Sequence, residues 1–388
     1  MTDLGQILQL RRELEATGAD YVLATVVAVE GSSYRKPGAR MLLAQDGRRA
    51  GTVSGGCLEA EVARRAWWLT ASGPVVERYS TADDDGERPF GSGCGGVVHL
   101  LLERRSTAAP LLAAFEKAFE ARTDLAIATV LEGRDLGQRA IAGSSENASS
   151  SANRLHSLDS ALSPSMDSEL WALARIALEN RTSFEQAIPL LGISTRVLAD
   201  YRPARTGLWI FGAGDDAKPL AQLAQTLGWF VAVAEGRSHL ATRERFPAAD
   251  DVRVLPIFDL PEAAPRDLQM RPSDAAVVMT HSFDQDSRIL ASLLGLNALP
   301  AYLGVLGPQR RTRELLAEAA RLLQMPATDE RIELWLAQLH APTGLDLGAE
   351  TPATIALSIV AEIQKSLQAA TGLPLREVRA AREIPAAS

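Results

Sequence analysis

Between Leu208 and Ala217 an apolar run breaks off into a glycine turn: Leu208-Trp209-Ile210-Phe211, then Gly212-Ala213-Gly214-Asp215-Asp216-Ala217. A buried strand that turns through GxGxxA into a helix is the dinucleotide-binding fingerprint. Gly212 makes the tight turn, Gly214 lets backbone amides approach a pyrophosphate, and Ala217 keeps the helix close to the sheet. An acid is expected about 20 residues on, holding a ribose hydroxyl. Glu235 stands there, with Arg237 just beyond it. Further strands are expected at Phe230–Ala234, Val252–Leu255, Ala275–Met279 and Ala301–Val305, with helical patterns between them. Such alternation implies right-handed βαβ units, so residues 207–388 read as a Rossmann-like parallel-sheet domain. His281 closes the strand Ala275–Met279 plus Thr280, on the edge where open α/β sheets bind ligands. Asp215 would compete with a phosphate for the positive helix end, so both an occupied and a vestigial nucleotide site stay open.

The remainder of the chain needs a second domain, because 388 residues exceed one ordinary core. Residues 1–142 alternate short strands with helices in a mixed α+β pattern. Tyr21–Val27 reads as a buried strand, and Asp46-Gly47 reads as a hairpin turn between Arg40–Leu43 and Arg49–Val53. A helix is expected from Leu58 to Leu69. Residues 143–168 are rich in Ser, Asn and Ala and read as a linker or mobile loop. Residues 169–206 read as a connecting helix and strand. The net charge of −8 gives no footprint for nucleic acid or an anionic membrane surface. No apolar run approaches the roughly 20 residues needed to span a bilayer. The first residues lack a signal-peptide pattern, and two cysteines make no disulfide framework, so a cytoplasmic location is expected.

Each cysteine sits in a glycine loop. Gly55-Gly56-Cys57 joins a strand to the Leu58–Leu69 helix, where free amides favour a thiolate, and with it metal ligation or persulfide chemistry. Gly93-Cys94-Gly95 can wrap an anionic ligand with its amides. The competing reading makes both cysteines small buried residues in tight turns. His340 and Asp346 bracket a loop that either lines the Rossmann crevice or ends a helix. Asp83-Asp84-Asp85 reads as a solvated acid run or a metal site.

Taken together, the motifs resemble the XdhC/CoxI family, accessory proteins in the maturation of molybdenum hydroxylases. The resemblance is carried by Glu30–Met41 (EGSSYRKPGARM), Gly51–Glu59 (GTVSGGCLE) and Gly93–Gly96 (GCGG). In the second half it continues through GAGDDAKPL, Ala241–Pro247, Val277–His281, Tyr302–Gly307 and His340–Ile363. The resemblance implies a chaperone that transiently binds molybdenum cofactor, assists its sulfuration with a cysteine desulfurase, and inserts it into an apo molybdenum hydroxylase. It makes Cys57 a soft ligand or persulfide carrier, and Cys57 and Cys94 the molybdenum-facing residues. NAD or NADP is the nucleotide expected at Gly212, Gly214 and Glu235, and a homodimer is expected. On this reading the chain is an accessory protein rather than a stand-alone enzyme.

Two other classes remain. An NAD(P)-dependent oxidoreductase would use His281 as proton donor, although no Tyr-x-x-x-Lys pair accompanies the fingerprint. A nucleotide-sensing regulator would bind a dinucleotide without chemistry.

Overall fold

The structure, a computed structural model, describes residues 3–56, 58–80, 96–143, 154–155, 164–190, 192–256 and 268–378. Two compact units divide the chain at Arg205 and Thr206.

The first unit begins with helix α1 (Asp3–Thr17) and strand β1 (Tyr21–Glu30). Strands β2 (Arg40–Ala44) and β3 (Arg49–Gly51) form the hairpin expected at Asp46-Gly47. Gly47 has φ +89°, and Asp46 Oδ1 accepts from the Arg48 amide at 3.0 Å, so the turn is closed by its own acid. Helix α2 (Glu59–Leu69), β4 (Val75–Ser80) and β5 (Val97–Arg104) complete an antiparallel sheet of order β3-β2-β1-β5-β4. Tyr21 to Val27 are buried at every position, as befits a central strand covered on both faces. On one face Val62 and Ala66 of α2 meet Met41, Leu43, Leu100 and Leu102. On the other, Ile7, Leu8 and Leu14 of α1 join Leu111, Leu112 and Phe115 of helix α3 (Arg105–Ala121) over Tyr21, Leu23 and Leu42.

A second antiparallel sheet follows: β6 (Leu125–Val130), β7 (Arg139–Gly143), β8 (Arg154–Leu155), β9 (Phe184–Leu190) and β10 (Ile193–Arg202), in the order β8-β7-β6-β10-β9. Here the structure corrects the expected segmentation. Residues 169–206 are not a connector, because β10 pairs with β6 from Val197↔Val130 to Arg202↔Leu125. Helix α4 (Pro164–Asn180) starts inside the stretch expected as linker. It buries Met166, Leu170, Ala174 and Ala177 against Ala126, Ala128 and Val197. The sheet therefore needs strands from both sides of the Ser-rich stretch, and local composition does not report such long-range pairing. Leu125 and Ile127 also enter the α1/α3 core, so the two sheets share one interior.

The second unit is built on a parallel sheet, as expected. Its strands are β11 (Gly207–Phe211), β12 (Phe230–Glu235), β13 (Asp251–Val254), β14 (Ala275–Val278) and β15 (Tyr302–Val305), in the order β13-β12-β11-β14-β15. Helices α5 (Ala217–Thr226) and α9 (Pro352–Leu367) cover one face. Helices α6 (Phe283–Leu294), α7 (Gln309–Leu322) and α8 (Asp329–Leu336) cover the other. Strand alternation assigns the two faces. Leu208 and Ile210 meet Leu220, Ile359 and Ile363, while Trp209 and Phe211 meet Ile289, Leu290 and Leu316. Each such fully buried aliphatic side chain contributes roughly 1.5–3 kcal/mol. Strand order reverses between β11 and β14, and that switch point opens a crevice at the carboxyl ends of these two strands. Among the described residues, no helix is long and apolar enough to cross a membrane.

Candidate functional site

The crevice in the second unit is framed by two chain segments leaving the sheet: Gly212–Ala217 after β11, and Met279–Ser282 after β14. Gly212 has φ +125°, and a Cβ there would lie 2.5 Å from the Met279 carbonyl oxygen. Both the conformation and the space demand glycine, because two backbones cross at this point. A Cβ on Gly214 would collide with the Asp216 carboxylate and lie 3.8 Å from His281 Cδ2, so that glycine lets side chains, rather than a main chain, come close.

The turn is braced by charge. Glu235, wholly buried at the end of β12, accepts from the Ala213 amide at 3.1 Å and from the Arg237 amide at 3.0 Å. Arg237 Nε and Nη2 also donate to its two oxygens, at 2.9 and 3.0 Å. Burial alone would push the Glu235 carboxyl up, but Arg237 and the Ala213 amide outweigh it and hold it below the usual carboxylate range. Arg245 Nη2 donates to the Ala213 carbonyl at 3.1 Å and to Asp215 Oδ1 at 3.0 Å. Glu235 therefore stands where the fingerprint needs a ribose ligand, but its lone pairs are spent on the turn itself. The expected ribose contact does not fit this geometry. Arg237 is likewise committed to Glu235 and to the Thr280 carbonyl.

Asp215 does not sit over the helix end uncompensated. It is exposed and paired with Lys218 at 2.8 Å as well as with Arg245, and these two cations lower its pKa. Asp216 occupies the N-cap of α5 without capping it, since its Oδ2 is 2.8 Å from His281 Nε2. The first amides of α5 thus have no side-chain cap, an arrangement that suits an anion such as a phosphate.

His281 adopts φ +60°, a left-handed conformation costing on the order of 1 kcal/mol or more for a non-glycine residue. It is held there from both sides. The Thr280 amide and hydroxyl donate to the buried Asp286 at 3.1 and 2.6 Å, and Arg311 pairs with the same carboxylate at 2.7 Å. Ser282 caps α6 through the Gln285 amide. An exposed imidazole, fixed in a strained backbone and bonded to the N-cap acid of the opposite segment, faces the crevice mouth.

Beside the carboxyl end of β15 lies a second polar cluster, which the histidine loop completes. Glu362 on α9 accepts from Tyr302 Oη at 2.6 Å, the Gly344 amide at 2.7 Å and His340 Nδ1 at 3.0 Å. Tyr302 stacks on His340 at 4.1 Å between ring centres, and its hydroxyl is 2.6 Å from Thr343 Oγ1. Burial, then the Glu362 carboxylate, raises the Tyr302 pKa strongly.

In the first unit, the glycine loop before α2 is organised by Glu59 and Ser54. Glu59 is buried and accepts from the Val53 and Ser54 amides at 3.2 and 2.9 Å and from the Ser54 hydroxyl at 2.6 Å. Burial would raise its pKa, yet these donors bring it below the usual range. Ser54 Oγ in turn accepts from the Gly56 and Leu58 amides at 3.1 and 3.2 Å. The Gly56 amide is therefore engaged within the loop. Gly56 has φ +115° with open space about its Cβ position, so glycine is there for conformation. Cys57, Gly93, Cys94, Gly95 and the Asp83–Asp85 run lie outside the described residues. Among the described residues, no group of three or more His, Cys, Asp or Glu is placed to hold a metal ion.

Comparison with known proteins places this architecture. Residues 14–80 match the XdhC and CoxI family, and residues 208–363 match the XdhC Rossmann domain. The chain is 32% identical over 344 residues to a Bacillus subtilis protein named as a probable xanthine dehydrogenase subunit, covering 88% of this chain and 92% of that protein. The chain belongs to the XdhC/CoxI family. Another relative is the "Molybdenum cofactor insertion chaperone PaoD" of Escherichia coli, 27% identical across 92% of this chain and 86% of that one. A solved structure from Bacillus halodurans, described as a xanthine dehydrogenase, matches with a TM-score of 0.67 and 29% identity, over 95% of this chain and 96% of the other.

Within this family frame, Gly212, Gly214, Ala217 and His281 come together at one crevice, whereas Glu235 and Arg237 brace it from beneath. Sequence reasoning missed Asp216 as the histidine's partner and Glu59 as the acid inside the glycine loop. Glu59 had a signal, an acid in the first helical turn five residues after a serine. Asp216 had none.

Proposed function

We propose that this chain is a chaperone that receives molybdenum cofactor as cargo and assists its sulfuration and insertion into a hydroxylase of the xanthine dehydrogenase type. The observation that carries this reading is the likeness, over nearly the whole chain, to the Escherichia coli protein named a molybdenum cofactor insertion chaperone. The glycine loops with Cys57 and Cys94 supply the soft thiols that such cargo calls for. Cys57 serves as the ligand or sulfur carrier, a cysteine desulfurase as the sulfur source, and an apo-hydroxylase as the acceptor. A homodimer in the cytoplasm is the working form.

The Rossmann crevice binds the phosphate end of a nucleotide in this reading. The uncapped start of α5 supports that role. The occupied carboxylate of Glu235 speaks against the ribose clamp that NAD would need, and the commitment of Arg237 to that carboxylate against a 2′-phosphate contact with NADP, so hydride transfer is not part of the proposal.

The deciding experiment is purification from a molybdenum-replete host, followed by metal and pterin analysis of wild type and Cys57→Ser. Wild type should retain both, and the variant should lose both and fail to activate an apo-hydroxylase. Protein that carries neither molybdenum nor pterin under these conditions would refute the reading.

A further inference from the structure

The segment Glu30–Met41 does more than mark the family. With α1 and the end of β10, it walls a pocket of about 400 Å3 in the first unit. That size falls within the roughly 300–1,000 Å3 of small-molecule sites. Four cations line it: Arg35, Lys36, Arg40 and Arg202. Among the described residues, two carboxylates answer them. Asp3 pairs with Arg35 at 2.7 Å, and Asp200 is shared between Arg40 Nη2 at 2.9 Å and Arg202 Nε at 3.0 Å.

Arg40 is only 8% exposed, with its guanidinium 4.5 Å from the centre of the Phe115 ring. Arg35 Nε, Arg40 Nε and Arg202 Nη2 are buried without a hydrogen-bond partner among the described residues. Burying surplus guanidinium charge is costly unless an anion joins it. Gly38, at φ +89°, leaves the space in which Arg202 lies against the loop; any Cβ would collide with that guanidinium. Leu4, Ile7 and Phe115 add an apolar wall beside the charge.

We propose that this pocket binds a phosphate monoester carried on a flat ring, the dianion meeting the guanidiniums and the ring lying on the apolar wall. A surplus of two positive charges matches a dianion, and arginine forks suit phosphate oxygens. Both a phosphorylated pterin and a nucleoside monophosphate have this chemistry. The link to molybdenum cofactor rests on the function proposed above; the phosphate site itself does not.

Calorimetry on the full chain tests it, with neopterin monophosphate against neopterin and GMP against guanosine. The phosphorylated member of at least one pair should bind about tenfold or more tighter than its parent. Lys36→Gln, at an exposed side chain, and Arg35→Gln should each reduce that advantage several-fold while leaving the melting temperature near wild type. A preference for pterin or guanine names the source of the phosphate and supports the site either way. Equal binding with and without phosphate, no binding of any probe, or full retention in both variants overturns the proposal. Phosphate binding without any effect of these variants on hydroxylase activation upholds the pocket and removes only its link to the cofactor.

Discussion

Arg237 grips both oxygens of the buried Glu235, Nε on Oε1 at 2.9 Å and Nη2 on Oε2 at 3.0 Å, only two residues along the chain. The pair fixes the glycine turn because the same carboxylate accepts from the Ala213 amide. Glu235→Gln keeps the shape but loses the charge and one of the fork contacts. It should destabilise the second unit by roughly 1–3 kcal/mol, with a lower urea midpoint and an unchanged slope. If Glu235 were instead a ribose ligand, the substitution would leave stability intact and shift only nucleotide affinity.

Gly212 and Gly214 should respond differently to the same added methyl. Gly212→Ala puts a Cβ against the Met279 backbone at a φ of +125°, and neither can yield. A loss of about 3 kcal/mol or more is expected in equilibrium unfolding. Gly214→Ala clashes with the tip of Asp216, which can swing away, and makes ordinary contact with the His281 ring, so stability should fall by about 1 kcal/mol or less. The histidine would register that swing, since Asp216 is its partner, and the ring resonances of His281 should move in NMR spectra.

Asp200 neutralises two arginines at once in an interior shared by both sheets of the first unit. Asp200→Asn leaves Arg40 buried without its counter-ion and should cost about 3–5 kcal/mol. Arg202→Gln leaves the Arg40–Asp200 pair intact and should cost distinctly less. Equal losses in denaturant titrations would contradict the sharing.

Glu362 gives the second unit an acid limb. Burial would raise its pKa, but Tyr302, the Gly344 amide and His340 together set it below the usual value of 4.5. A carboxylate with a depressed folded pKa stabilises the fold above its unfolded value, and that stability drains away as pH falls through the folded one. Stability of wild type should therefore decline as pH drops below about 4.5, and Glu362→Gln should flatten that decline while lowering stability at neutral pH. Parallel acid limbs in the two proteins would rule the contribution out.

The parallel sheet was legible because its information is local. Each strand from Leu208 onward is a short apolar run between helical patterns, and Gly212 is required by its own backbone. The direction of a side chain is not local in that sense. Glu235 falls at the expected spacing, yet nothing in the spacing says that its carboxylate turns inward to Ala213 rather than outward to a sugar. The same limit hid β9, whose run Phe184–Leu190 contains Pro189 and three exposed polar or small residues in a row. It became a strand only by lying beside β10, with Ile193 opposite Leu190. The Arg40–Asp200 pair joins residues 160 positions apart, far beyond any periodicity.

The strand order of the first unit also sets a timetable for synthesis. Every strand of the β3-β2-β1-β5-β4 sheet has been synthesised once Arg104 is added, whereas β6 waits for β10, its neighbour, until Arg202 has been added. A nascent chain therefore carries Arg40 through most of the first unit's translation before its counter-ion exists. The elongating protein passes through a stage in which one sheet can close and the surface that will receive the other is bare, the stage at which domains completing late are most open to misassembly.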